Sequence, residues 1–468
     1  MSEKTKAQEL KELLFNKKEN GVDFMSDDEL KTCDDFCGGY KKFLYENKTE
    51  REFAKSALQL AKANGYKEFD KFASQLSQGE KVYYFNRGKA IILCIKGKRP
   101  VKDGVRISAA HIDSPRLDLK QCPVYEDGSL GFFKTHYYGG IKKYQWTAIP
   151  LSLHGRICKN DGSYVDVNVG EDPADPKFCI TDILPHLGAE QMSRKANEIV
   201  KGEELNVVIG SRPFKDDKES EKIKLNLLNI LYEKYGIVER DFLSAELELV
   251  PAFTVDDIGF DRSLIGGYGH DDRVCAYTAM QAIFDVKDVP EYTAITVLTD
   301  KEETGSDGNT GLNSAYLRYF IEDLARIEGC EGRDVLSNSK CLSADVNAAF
   351  DPTWPGQFEK NNASFINQGV VVTKFTGARG KSGTSDASAE YVSFVKNLME
   401  SNGVLWQSGE LGKVDAGGGG TVAMYIANLD VDVIDVGVPV LSMHSPYEVV
   451  SKIDTYMAYK AFLTFFTK

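Results

Sequence analysis

The chain is 468 residues long, with 42% hydrophobic, 11% aromatic and 27% charged residues, which excludes disorder or a collagen-like fibre as its overall state. Its 57 basic and 70 acidic residues leave a net charge of −13, so most of the surface repels nucleic acid and anionic membranes, and neither is expected as a partner. At roughly 150 residues per domain, the length predicts two or three structural units.

Residues 1–20 carry no apolar stretch of the length a secretory signal needs, and no later run of about 18 apolar residues escapes charge, so a cytoplasmic protein is expected. In 51–66, REFAKSALQLAKANGY, apolar residues recur every three or four positions and Gly65 supplies a stop, which predicts helices over the first ~75 residues. KVYYFNRGKAIILCIKG (81–97) and VRISAAHID (105–113) are rich in β-branched residues and are separated by the turn cluster GKRPVKDG, which predicts two strands, the second ending at His111. From 116 to about 253 the character changes to short strand-like runs such as GRICKNDGSYVDVNV, many turn residues and a charged stretch, KDDKESEKIK (215–224), expected to be a solvated loop. This segment reads as a β-rich domain inserted between a first catalytic part, 1–115, and a second, 254–468. The spacing agrees: His111 and Asp271 lie 160 positions apart (271 − 111), Asp271 and Glu303 only 32 (303 − 271).

From Gly269 onward helix and strand patterns alternate. HDDRVCAYTAMQAIFD, LNSAYLRYFIEDLARI, SDASAEYVSFVKNLMES and DTYMAYKAFLTFF suit helices, whereas EYTAITVLTD, KCLSADV and VDVIDVGVPVL suit buried strands. The expected class is α/β, a mixed sheet flanked by helices and carrying the β-rich insert. Nine cysteines are scattered without a C-x-x-C pair and are expected to be reduced thiols; Cys33 and Cys37, one helical turn apart among acidic residues, do not make a zinc site.

Ligands of open α/β sheets bind beyond the carboxyl ends of strands. There the chain places His111, Asp271 at the start of a helix, the pair Glu302 and Glu303, Asp345, and His444. Singly, a histidine or an acidic pair at a strand end is more often a cap or a solvated surface. Together, two histidines and three carboxylates are the inventory for two divalent cations that share a bridging carboxylate and leave a position for water. Asp113, two residues beyond His111, is placed to orient that imidazole; one glutamate of the 302–303 pair can ligate while the other acts as general base. GARGKS (377–382) lacks the first glycine of a phosphate-binding loop, where Phe375 stands, so nucleotide binding is not expected.

The motifs A-H-I-D-S-P, G-x-D-D-R, D-K-E-E-T-G-S, S-A-D-V and M-H-S-P, in this order, resemble those of the M18 metalloaminopeptidases, the aspartyl aminopeptidase and vacuolar aminopeptidase I group. The likeness extends to Tyr138-Gly139-Gly140, Leu153-x-Gly155-Arg156 and Pro185-His186-Leu187. It implies a zinc-dependent exopeptidase fold and two zinc ions per subunit, positions that cobalt or manganese can also fill. His111 and Asp345 would hold one ion and Glu303 and His444 the other, with Asp271 bridging, Glu302 as general base and Asp113 as the orienting acid. The resemblance further implies that the insert dimerises, that dimers form a tetrahedral dodecamer, that His186 reaches a neighbouring subunit's site, and that Gly418 and Gly419 of the Gly417–Gly420 loop line the substrate pocket.

The pocket departs from the aspartyl branch. Lys374 stands where that branch has a lysine facing an acidic substrate side chain, but the histidine expected at 348 is Ala348 and a tyrosine expected seven residues after Lys374 is Lys381. Two cations favour Asp or Glu, whereas loss of directional donors leaves a neutral first residue such as Leu open. A deacetylase or carboxypeptidase with the same ligand set, and a non-enzymatic assembly protein with a decayed site, remain alternatives at this level.

Overall fold

In the computed structural model, which describes residues 4–16, 19–216 and 218–468, the strand-forming runs condense into three sheets. A nine-stranded mixed sheet has at its centre the parallel strands Thr293–Thr299, Val105–His111, Lys340–Ser343 and Asp432–Gly437. Thr293–Thr299 and Val105–His111 are buried along their whole length, as expected of parallel strands covered on both faces. Helices His270–Phe284 and Lys452–Thr467 cover one face and pack on each other, while Tyr316–Ile327 covers the other. Helix Glu50–Ala63 starts at a capping box between Thr49 and Glu52 and ends before Gly65, which takes a φ of +82°.

The strands from Arg116 to Pro251 form a separate seven-stranded antiparallel sheet with its own core around Leu117, Phe133, Trp146, Leu249 and Val207. A five-stranded sheet, Asp256–Ile258, Leu264–Gly267, Glu448–Ser451, Pro439–Leu441 and Asn347–Ala348, lies beside the ends of the central strands.

Three local expectations are revised. KVYYFNRGKAIILCIKG is a hairpin rather than one strand: Lys81–Asn86 and Ala90–Ile95 pair antiparallel around Arg87 and Gly88, both at positive φ. VDVIDVGVPVL is two strands in two sheets, Asp432–Gly437 and Pro439–Leu441. Gly437 is required at the crossing, because a Cβ there would stand 1.7 Å from the Asp345 carbonyl oxygen. The charged stretch 215–224 ends in the first residues of a helix, Lys222–Tyr235; Asp217 lies outside the described residues. All nine cysteines are free. No helix among the described residues is long and apolar enough to cross a membrane.

Candidate metal centre

Three of the central strands deliver groups to the same point. His111 is the last residue of Val105–His111, Glu302 and Glu303 follow Thr293–Thr299, Asp345 follows Lys340–Ser343, and Asp271 opens helix His270–Phe284. His444 arrives from the five-stranded sheet, just after Pro439–Leu441. Asp271 lies in the middle: its Oδ1 is 3.2 Å from His111 Nε2 and its Oδ2 is 3.1 Å from His444 Nε2. Asp345 Oδ1 approaches His111 Nε2 to 3.9 Å, and Glu303 Oε2 approaches His444 Nε2 to 3.6 Å. Two groups, His111–Asp271–Asp345 and Asp271–Glu303–His444, thus place their donor atoms within 4.8 Å of one another; His111 also groups with Glu302 and Glu303. Glu302 Oε2 is 3.8 Å from His111 Nε2.

Both imidazoles are presented in the orientation a cation requires. His111 Nδ1 donates to the Asp113 carbonyl oxygen at 3.0 Å, and His444 Nδ1 donates to the Gly140 carbonyl oxygen at 2.8 Å. A carbonyl only accepts, so Nδ1 carries a proton in each ring, and Nε2, which faces Asp271, is the nitrogen that would give its lone pair to a bound cation. His111 Nε2 and Glu303 Oε1 are buried and hydrogen-bond to nothing in the protein. These orphaned atoms and the all-N/O donor set fit divalent zinc.

The electrostatics point the same way. Burial and the charge of Asp271 push Glu303 well above the usual carboxylate range, and burial with neighbouring acids does the same to Asp345. Glu302 is pushed up to about 7 by burial, with Asp113 and Asp271 adding to it. Burial opposes charge on His444, but Asp271 and Glu303 raise it to about 10. A buried excess of carboxylates over imidazoles calls for cationic compensation.

Buried groups brace the ligands. Asp113 Oδ1 accepts the Glu302 amide at 3.1 Å and Oδ2 the Glu303 amide at 3.2 Å, so one carboxylate holds the turn bearing both glutamates. Glu448, not singled out from the sequence, accepts the Asp271 amide at 3.0 Å and the His444 amide at 2.7 Å. Only its position after M-H-S-P hinted at it, since its partners lie 177 and 4 residues away.

The remaining site residues have these surroundings. Lys374 and Lys381 are half-exposed, and both pair with Asp386, at 2.9 and 2.7 Å. Gly418, at φ +109°, passes so close to the Gly377 carbonyl that a Cβ would stand 1.9 Å from it; Gly419 borders Leu411. His186 sits in the exposed turn Pro185–Leu187 and is not among the residues that converge on Asp271 within this chain.

Residues 43–466 match the family described as aminopeptidase I zinc metalloprotease (M18). The chain belongs to the M18 family of zinc aminopeptidases. This aminopeptidase is 47% identical to the probable M18 family aminopeptidase 1 of Clostridium acetobutylicum, over 96% of the chain and 99% of the relative, and 45% identical to that of Borreliella afzelii at the same coverage. It superposes on the crystal structure of the M18 aminopeptidase from Thermotoga maritima with a TM-score of 0.93 at 41% identity, covering 97% of this chain and 100% of that one. The aminopeptidase is therefore a zinc-dependent peptide hydrolase with the mixed α/β fold of that family.

Proposed function

We propose that the enzyme removes the N-terminal residue of peptides at a centre for two zinc ions, His111 and Asp345 holding one, Glu303 and His444 the other, and Asp271 both. The observation that carries this reading is the sharing of Asp271 between the two donor clusters. When bound, the ions supply Lewis acidity toward the scissile carbonyl and balance the buried carboxylates. Glu302 is the general base: its carboxylate takes a proton from the attacking water and delivers it to the leaving amine. Asp113 keeps Glu302 aimed by holding its amide, and keeps His111 aimed through its own carbonyl. In Glu302→Gln, zinc content stays at the wild-type value while kcat falls by about 10²–10⁴-fold; near-normal turnover removes Glu302 from the mechanism. An N-acetylated peptide that is cleaved as fast as the free one excludes an aminopeptidase.

A neutral, apolar first residue is favoured over an acidic one by two features. A cleft of about 610 Å³ opens beside His444, with Ile141, Tyr144, Trp354, Phe358, Leu441 and Met443 in its wall and Ala348 at the position where a histidine was expected. Its lysine and aspartate, Lys142 and Asp351, carry opposite charges, and Lys374 and Lys381 are both paired with Asp386. Leucyl substrates then give a higher kcat/KM than aspartyl ones; the reverse order supports the acidic preference.

We further propose a cytoplasmic enzyme whose catalytic parts, 1–115 and 254–468, flank a dimerisation unit, 116–253. Exposed Ile183, Leu184, Leu187 and Met192 around His186 form an apolar surface suited to a second copy, from which His186 could serve the neighbouring site, with dimers building a tetrahedral dodecamer. Gly418 and Gly419 are proposed to border the substrate. A fully active monomer in light scattering overturns the assembly and the role of His186.

A further inference from the structure

The seven-stranded sheet reaches the metal centre through a three-residue turn, Tyr138–Gly139–Gly140. Strand Leu130–Tyr138 ends at Tyr138, paired in register with Arg116, the first residue of the neighbouring strand. The Arg116 guanidinium stacks on the Tyr138 ring at 3.9 Å and is itself held by Asp118, Glu50 and Glu248. That ring is therefore fixed, and its hydroxyl donates to Asp113 Oδ2 at 2.8 Å. The same oxygen accepts the Glu303 amide, whereas Glu302 and His111 face the other oxygen, Oδ1. Gly139 follows at φ +75°, and a Cβ on it would stand 3.1 Å from Glu303 Oε2. Gly140 then gives its carbonyl to His444 Nδ1. All three contacts bear on the Glu303–His444 side. His111 and Asp345 are placed by the nine-stranded sheet: His111 ends a fully buried strand, and Asp345 packs against Gly437.

We infer that the Tyr138–Gly139–Gly140 turn is a positioning element for one of the two ion sites, the one bounded by Glu303 and His444, so that this site assembles only when the seven-stranded sheet is seated. The inference rests on the two-zinc reading above. Tyr138 does not reach the substrate in this scheme; it acts through Asp113 on the Glu303 amide. Gly139 leaves the Glu303 carboxylate its space, and the Gly140 carbonyl fixes the tautomer and the angle of the His444 ring.

The test is zinc titration of the chelator-stripped full-length enzyme by calorimetry, with metal analysis, for wild type, Tyr138→Phe, Gly139→Ala and the exposed control Tyr137→Phe. Tyr138→Phe keeps the ring over Arg116 and removes only the hydroxyl. The expected result is two sites in wild type and in Tyr137→Phe. In Tyr138→Phe one site stays unchanged and the other weakens by about 10–100-fold, with kcat low at limiting zinc and recovered in excess zinc while KM is unaltered. Gly139→Ala weakens the same single site. Two sites of wild-type affinity in both variants overturn the inference, as does equal weakening of both sites or a fall in the thermal stability of the metal-free Tyr138→Phe protein, which would indicate a general structural role. Fewer than two sites in wild type overturns the two-zinc reading itself and the inference with it, an outcome seen before any variant is compared.

Discussion

The nine-stranded and seven-stranded sheets draw on similar apolar residues but expose them differently. In the first, Thr293–Thr299 and Val105–His111 are buried from end to end, and His111, Asp345 and the Glu302–Glu303 pair lie at or just beyond the ends of three central strands in the metal centre. In the second, strands such as Tyr164–Val169 alternate between buried and outward-facing residues, and Ile183, Leu184, Leu187 and Met192 stay exposed. A sheet covered on both faces can hold side chains rigidly in a dry cleft, which metal binding at fixed angles requires. A sheet with a free face can meet other surfaces instead.

The largest effect that separates the two regions is expected at Asp271. Asp271→Asn weakens the ligand shared by both clusters, so zinc per chain falls and turnover is lost in metal analysis and peptide assays; retention of both ions would show that the clusters do not depend on a common carboxylate. Next comes packing. Phe462→Ala, in the core of the nine-stranded sheet, and Trp146→Ala, in the core of the seven-stranded one, each cost about 3–5 kcal/mol, because both side chains are fully buried. Calorimetry in which each variant lowers a different transition shows two cooperative units, whereas one transition shifted by both shows a single unit.

A smaller, pH-dependent effect is expected where the regions meet. His154 of strand Leu151–Cys158 lies between Glu52 of helix Glu50–Ala63, at 2.7 Å, and Glu171, at 3.1 Å. Burial opposes its charge, but the two glutamates hold its pKa above the usual histidine value. Its contribution is therefore complete below about pH 6.5, the unfolded value, and is lost as the pH rises through the raised one. Glu171 is held at about 2 against its burial by His154 and Lys48, so its contribution is present above about pH 4.5 and is lost as the pH falls toward 2. His154→Gln should flatten the fall in melting temperature on the alkaline side; an unchanged profile removes this contact from the junction. The smallest effect on stability is expected at Leu187→Ser, within about 0.5 kcal/mol because the side chain is exposed, although light scattering should show weakened assembly.

How far the site could be read from the sequence follows from where its residues lie. His111, Asp271, Glu302, Glu303, Asp345 and His444 each sit within a few residues of a strand or helix end whose apolar pattern is visible, and strand ends are where α/β sheets bind ligands. Glu448, the pairing of Asp386 with both lysines, and the contacts of Tyr138 and Gly140 were not readable, because their partners are remote or lie on loops without periodicity. The run VDVIDVGVPVL looked like one strand because nothing local marks Val438 as a change of sheet; the Asp345 backbone beside Gly437 sets the crossing.

The sequence by itself determined the alternation of strands and helices and the chemical inventory of the site, since both depend on local periodicity and on which side chains end each element. Which oxygen of Asp271 faces which imidazole, which ring nitrogen carries the proton, and which buried carboxylate holds which amide were decided only by the tertiary structure. Hydrogen bonding and ion pairing fall off within a few ångströms, so these choices exist only once segments far apart in the chain have been packed into contact.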